Sequence, residues 1–325
     1  FSQDFEVTSL LVTGFDYLTT YYWRVMAKND LGNSGPWSEI WSFTTQEELF
    51  PQDLMVASGW NMVSSYINPA ELDMYDVFAD VIPNINLVKN GAGQMFAPQF
   101  EINNIGNWNY EDGYLVNSDS DITLTIEGYP IIPEITPLFI EQGWNLISYL
   151  RTSELAPNEA LSTLATNLTL AKNNVGGVYF PTWGINTMGN MLPGEGYFIY
   201  MNNLGMLIYP ANSGLRQYAE VNTTPNAQFL IPTVKNTGNN ATLLLTVSGI
   251  EDGNEIGIYN INGDLIGSGA VYNGVAAVTI WGDNEITPNI DGAGTNELLS
   301  AKLYNPNSNL EQDISLSMIS DLTSG

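Results

Sequence analysis

The sequence predicts a mainly β, multidomain chain, and three observations lead there. Short apolar stretches alternate with polar residues at a period of two, as in Asp121-Ile-Thr-Leu-Thr-Ile126, and Gly, Asn and Pro turns separate them. GWNMVS from Gly59 returns as GWNLIS from Gly143, NLVKN from Asn86 as TLAKN from Thr169, and INNIGNWNYEDGYLV from Ile102 as INTMGNMLPGEGYFI from Ile185. The offset stays at 83 or 84 residues across all three blocks, which marks a tandem duplication with one small domain per copy. The length, 325 residues, suits several small cores better than one. The expected divisions are 1–46, a first repeat over 53–133, a second over 137–211, and a C-terminal unit over 226–325.

The first 45 residues read as strands and turns, and Tyr21, Trp23 and Val25 alternate as a half-buried strand requires. Over Leu11 to Thr45 this region resembles the last three strands of a fibronectin type III domain. Tyr21 stands where that family has its corner tyrosine, and WSEIWSFTT resembles its closing strand. The resemblance implies a β-sandwich fragment whose early strands lie elsewhere, so residues 1–45 are expected to lack an independent core. Gln46 to Gln52 reads as a polar connector.

Each repeat is predicted to be a small α+β unit. Short helical patterns place Val77, Phe78 and Val81 in one copy and Ala160, Leu161 and Leu164 in the other, and strands make up the rest. Trp60 and Trp144 are expected to fill cores. Trp108 and Trp183 lack a Trp at the matching position of the other copy and sit in loop-like surroundings, which makes them candidate stacking platforms for sugar rings. Lys89 and Lys172 recur 83 positions apart, as do Asp112 and Glu195 before the Gly-Tyr pairs. The recurrence predicts ion pairs from Lys89 to Asp112 and from Lys172 to Glu195. GWNLIS followed by a later GxGY resembles small β-rich repeats of bacterial surface and secreted proteins.

After a connector from Asn212 to Asn226, Ala241 to Val247 reads as a strand, and GNEIG, TIWGDN, IDG and TNELL follow in order. This order resembles a β-sandwich module of large proteins exported by the bacterial type IX route. Such proteins end in a sorting domain, and nothing after Leu316 reads as one. Asp283, Asn284, Glu285, Asn289 and Asp291 concentrate oxygen ligands suited to Ca2+, without the regular D-x-[DN]-x-[DN]-G spacing. The alternative is an acidic loop held by its own turn hydrogen bonds.

Composition narrows the function classes. Eight Lys and Arg against 35 Asp and Glu leave a formal charge of -27, which disfavours nucleic acid and anionic membranes as partners. The absence of Cys and His removes thiol nucleophiles, Ser-His-Asp triads and thiolate or histidine metal sites. A carboxylate pair is the remaining catalytic device, and no segment has the size of a catalytic domain. No apolar run approaches a membrane span, and the residues from Phe1 onward do not read as a basic-then-apolar leader. The expectation is a non-catalytic structural or adhesive segment at a bacterial cell surface, with other protein chains or surface polysaccharide as partners and a homo-oligomer or filament as its assembly. The alternative is a set of accessory carbohydrate-binding modules of a secreted hydrolase.

Overall fold

The computed structural model describes residues 12, 14–212 and 223–317. Most of the connector expected over Asn212 to Asn226 lies outside them, as do the first eleven residues. The chain is mainly β, with several antiparallel sheets and, among the described residues, only short helices of three to six residues, and it divides into two compact units, Phe1–Phe50 and Pro51–Gly325.

In the first unit β1 (Thr20–Trp23), β2 (Met26–Lys28), β3 (Ser34–Trp37) and β4 (Trp41–Thr44) form two antiparallel pairs, β1 with β4 and β2 with β3. Tyr21 packs against Phe15 and Phe43, and its hydroxyl accepts the Asp16 N–H at 2.8 Å, five residues upstream. None of the described residues before Gln52 is buried. Four strands of three or four residues cannot enclose a core, so the aromatic side chains stay open to solvent.

The first repeat contains β5 (Phe50–Val56), β6 (Gly59–Val63), β7 (Ile67–Pro69), α1 (Met74–Val77), β8 (Ile85–Asn90), β9 (Met95–Ala97), β10 (Ile102–Asn103), β11 (Tyr114–Ser118) and β12 (Ile122–Pro130). β5 begins inside the expected connector. A five-stranded sheet in the order β10-β9-β8-β11-β6 and a three-stranded sheet in the order β5-β12-β7 enclose a core of Leu54, Val88, Phe96, Trp108, Tyr114 and Leu124, among others. Asp73 caps α1 by accepting the Tyr75 N–H at 2.8 Å, and Met74 and Phe78 close the core from that side.

The second repeat repeats this plan. β13 (Leu138–Ile140), β14 (Gly143–Ile147), α2 (Pro157–Ala160), β15 (Leu168–Lys172), β16 (Val178–Phe180), β17 (Ile185–Asn186), β18 (Tyr197–Met201) and β19 (Gly205–Leu207) follow in order. The large sheet runs β14-β18-β15-β16-β17, and β13 pairs with β19. Register is retained as well: Trp60 faces Asn117 as Trp144 faces Tyr200, and Lys89 faces Met95 as Lys172 faces Val178. The helical positions expected at Ala160, Leu161 and Leu164 are all buried.

The C-terminal β-sandwich module is built on a six-stranded antiparallel sheet of β20 (Asn240–Thr246), β21 (Glu255–Tyr259), β22 (Leu265–Ala270), β23 (Val275–Trp281), β24 (Ser300–Asn305) and β25 (Leu310–Ile314), in the order β20-β23-β22-β21-β24-β25. Side-chain alternation separates its faces. Ala276 and Val278 of β23 point into the module's own core, whereas Val275 and Ala277 point at the second repeat. Buried Glu255 accepts the Gln228, Phe229 and Leu230 N–H groups, which seats the segment entering the module.

Candidate functional site

The duplicated residues converge on two interfaces inside the second unit. The first is the seam between the repeats, and its contacts are reciprocal. Val63 bridges to Glu195, and its counterpart Ile147 bridges to Asp112. Gly196 N–H donates to Met62 O and Gly113 N–H to Leu146 O, both at 3.1 Å, while Ser64 N–H reaches Gly194 O and Ser148 N–H reaches Glu111 O. The two repeats therefore meet like the subunits of a two-fold dimer joined into one chain. The Gly of each Gly-Tyr pair has a steric reason: a Cβ at Gly113 would lie 2.7 Å from Ile147 O, and one at Gly196 would lie 2.9 Å from Val63 O. Gly113→Val or Gly196→Val is expected to cost about 1–3 kcal/mol by overpacking, read as a lower midpoint in chemical denaturation. An unchanged midpoint would show that the seam can open without loss.

The tyrosine that follows each Gly anchors the same turn from inside. Tyr114 accepts the Asn109 N–H and Tyr197 the Leu192 N–H, both at 2.7 Å and both five residues upstream, as Tyr21 does with Asp16. Burial raises the pKa of both tyrosines and also lifts the seam carboxyls of Asp112 and Glu195 above their ordinary range.

The second interface joins the C-terminal module to both repeats. Trp60, only 3% exposed, donates through Nε1 to Asn284 Oδ1 at 3.1 Å, and its carbonyl accepts Asn236 Nδ2. Gly238, at φ 78°, lies flat against the indole, and a Cβ there would approach the ring to 2.7 Å. Lys89 Nζ stands 5.5 Å from the Trp60 ring centroid and pairs with Glu285 at 3.2 Å. In the second repeat Lys172 Nζ stands 5.0 Å from the Trp144 ring and donates to Asn240 Oδ1 at 2.6 Å. Trp144, Trp183 and Tyr200 pack with Leu244, Val275 and Ala277 of β20 and β23, and Thr279 Oγ1 donates to Gly176 O. Each repeat thus presents a Lys-over-Trp platform, and the C-terminal module rests on both.

Several expectations are corrected by this geometry. Lys89 and Lys172 do not pair with Asp112 and Glu195. The lysines project from the outer sheet face, whereas the acids lie in the seam turn, where Asp112 accepts Asn109 Nδ2 and Glu195 accepts the Tyr197 hydroxyl. Trp108 is no stacking platform. It is 2% exposed, stacks on Tyr114 at 4.2 Å and donates to Ser65 Oγ, so its loop lies over the core. Trp183 is half-buried against Phe180 in the interface with the C-terminal module. Trp60 and Trp144 lie between modules and not in the repeats' own cores.

The acidic loop places its oxygens on separate partners. Asp283 Oδ1 accepts the Asp291 N–H, Asn284 Oδ1 accepts the Trp60 indole N–H, Glu285 pairs with Lys89, and Thr287 Oγ1 donates to Asp291 Oδ2. Among the described residues no three acidic side chains gather as a group that could hold a metal ion, and the loop's oxygens are engaged with protein partners. Chelation is expected to leave the melting temperature unchanged, and a clear fall would restore a cation to the loop.

A cleft of about 230 Å³ along the seam includes Asp53, Asn61 and Glu195 in its lining. The two carboxylates are already bonded, to Thr125 and Tyr197 respectively. Among the described residues no helix is long and apolar enough to cross a membrane. Comparison with known proteins yields no matching family model, no matching curated protein and no matching solved structure.

Proposed function

We propose that this chain is a non-catalytic structural or adhesive segment of a large extracellular bacterial protein, in which the repeats act as a rigid joint between modules. The supporting observation is where the duplicated chemistry goes. The Trp-Lys pairs, the Gly-Tyr turns and the acids beside them all build contacts within the chain, and Glu195, which lines the seam cleft, is held there by the Tyr197 hydroxyl. The resemblance to fibronectin type III strands and to modules of type IX-exported proteins supports an extracellular setting by analogy only. In the carbohydrate-binding alternative the stacking role falls to Trp23, Trp37 and Trp41, which are 44–48% exposed.

A glycan-binding screen of the full chain tests the reading. No saturable binding to any polysaccharide is the expected result. Binding that is lost on Trp37→Ala would replace the structural role with an accessory carbohydrate-binding one, and a catalytic domain in the full-length reading frame would point the same way.

A further inference from the structure

The duplication shows what one surface of the molecule is built to accept. In the second repeat the outer face of the large sheet, with Leu170, Val178, Phe180 and Ile185, is buried beneath β20 and β23. Because the strand registers match, the counterparts in the first repeat are Leu87, Met95, Ala97 and Ile102, with Phe100 in the place of Trp183. The C-terminal module reaches the Trp60 and Lys89 end of this face. Leu87, Met95 and Ile102 remain partly exposed, and Phe100 is 76% exposed.

We propose that this outer face of the first repeat is a self-association surface, on which a second copy of the chain stacks the same face, sheet against sheet. The covered counterpart shows that side chains in this arrangement take an antiparallel sheet as their partner, and the face is itself such a sheet. Charge confines the docking of a second copy to this place. A chain of net charge -27 repels its own copies over most of its surface, and this patch brings together uncharged side chains, with Glu101 at the rim. Contact of a face with itself closes as a two-fold dimer, so growth stops at two copies. Phe100, the most exposed of these side chains, is the anchor. The inference does not depend on the extracellular setting.

Sedimentation velocity of the full chain from low to high micromolar concentration tests it. Wild type is expected to shift from monomer to dimer as concentration rises, and to do so more readily in added salt, which screens the acidic surfaces. Phe100→Asp is expected to weaken the dimer at least about tenfold. Ile261→Asp, at an equally exposed apolar residue of the C-terminal module, is expected to leave it unchanged. A single monomeric boundary at every concentration, association of Phe100→Asp like wild type, or equal loss in Ile261→Asp would each overturn the proposal.

Discussion

Trp60→Ala is expected to destabilise the protein by about 3–5 kcal/mol, the usual loss for a buried Trp, with the damage falling between modules. The indole holds Asn284 through its N–H, supports Gly238 on its ring and underlies Lys89, while the Trp60 carbonyl accepts Asn236. Hydrogen exchange distinguishes this role from that of an ordinary core residue. In Trp60→Ala, amides of residues 236–239 and 284–287 should exchange faster, while those of Val88 and Val116 in the first repeat's core keep their protection. Trp108→Ala should lose a comparable amount with the opposite pattern, because Trp108 lies wholly inside that core. Early exposure of Val88 and Val116 in Trp60→Ala, with the loops still protected, would remove the docking role.

The contrast between these two tryptophans shows where sequence reasoning reached and where it stopped. Alternation and the offset of 83 or 84 residues were enough to place β6 against its counterpart β14 and β11 against β18, because period-two patterning is a local property and a duplication carries register with it. In the structure Trp60 and Lys89 share one face, and alternation along a strand cannot say that a module more than a hundred residues downstream covers it. Trp108 misled for the complementary reason. Its Asn- and Gly-rich surroundings read as a surface loop, whereas Trp108 N–H donates to Leu72 O and the ring turns inward onto Tyr114. The ion pairs expected from Lys89 and Lys172 failed because recurrence shows that a position is constrained without naming the partner. Asp112 and Glu195 are constrained by the other repeat and the lysines by the third module. The acidic loop was legible only as a choice between a cation site and a turn network, and spacing alone carries no information about which oxygens already accept hydrogen bonds.

Lys172 carries the prediction with the clearest sign. It is 6% exposed, its hydrogen-bond acceptor among the described residues is the neutral Asn240 side chain, and burial lowers its pKa from 10.5 to about 8. The unfolded chain holds this proton up to its ordinary pKa, so between pH 8 and 10.5 the unfolded state binds more protons than the folded one and stability rises with pH. Below that window the cost of burying the charge is fully present, at most about 3 kcal/mol for a shift of this size. The cation-π contact with Trp144 offsets part of the cost, about 0.5–2 kcal/mol. Lys172→Met removes the titrating group and keeps a chain of similar length. The stability of wild type relative to Lys172→Met should therefore climb from pH 7 to pH 10. Tyrosines whose pKa burial raises, Tyr149 and Tyr197 among them, make both proteins less stable above about pH 10 and cancel in that difference. Lys89→Met is the matched comparison. Lys89 is partly exposed and paired with Glu285, so the change should cost no more than about 1 kcal/mol. Parallel stability profiles for wild type and Lys172→Met across the window would mean that water reaches the ammonium group, and the buried-cation account of the second platform would fall.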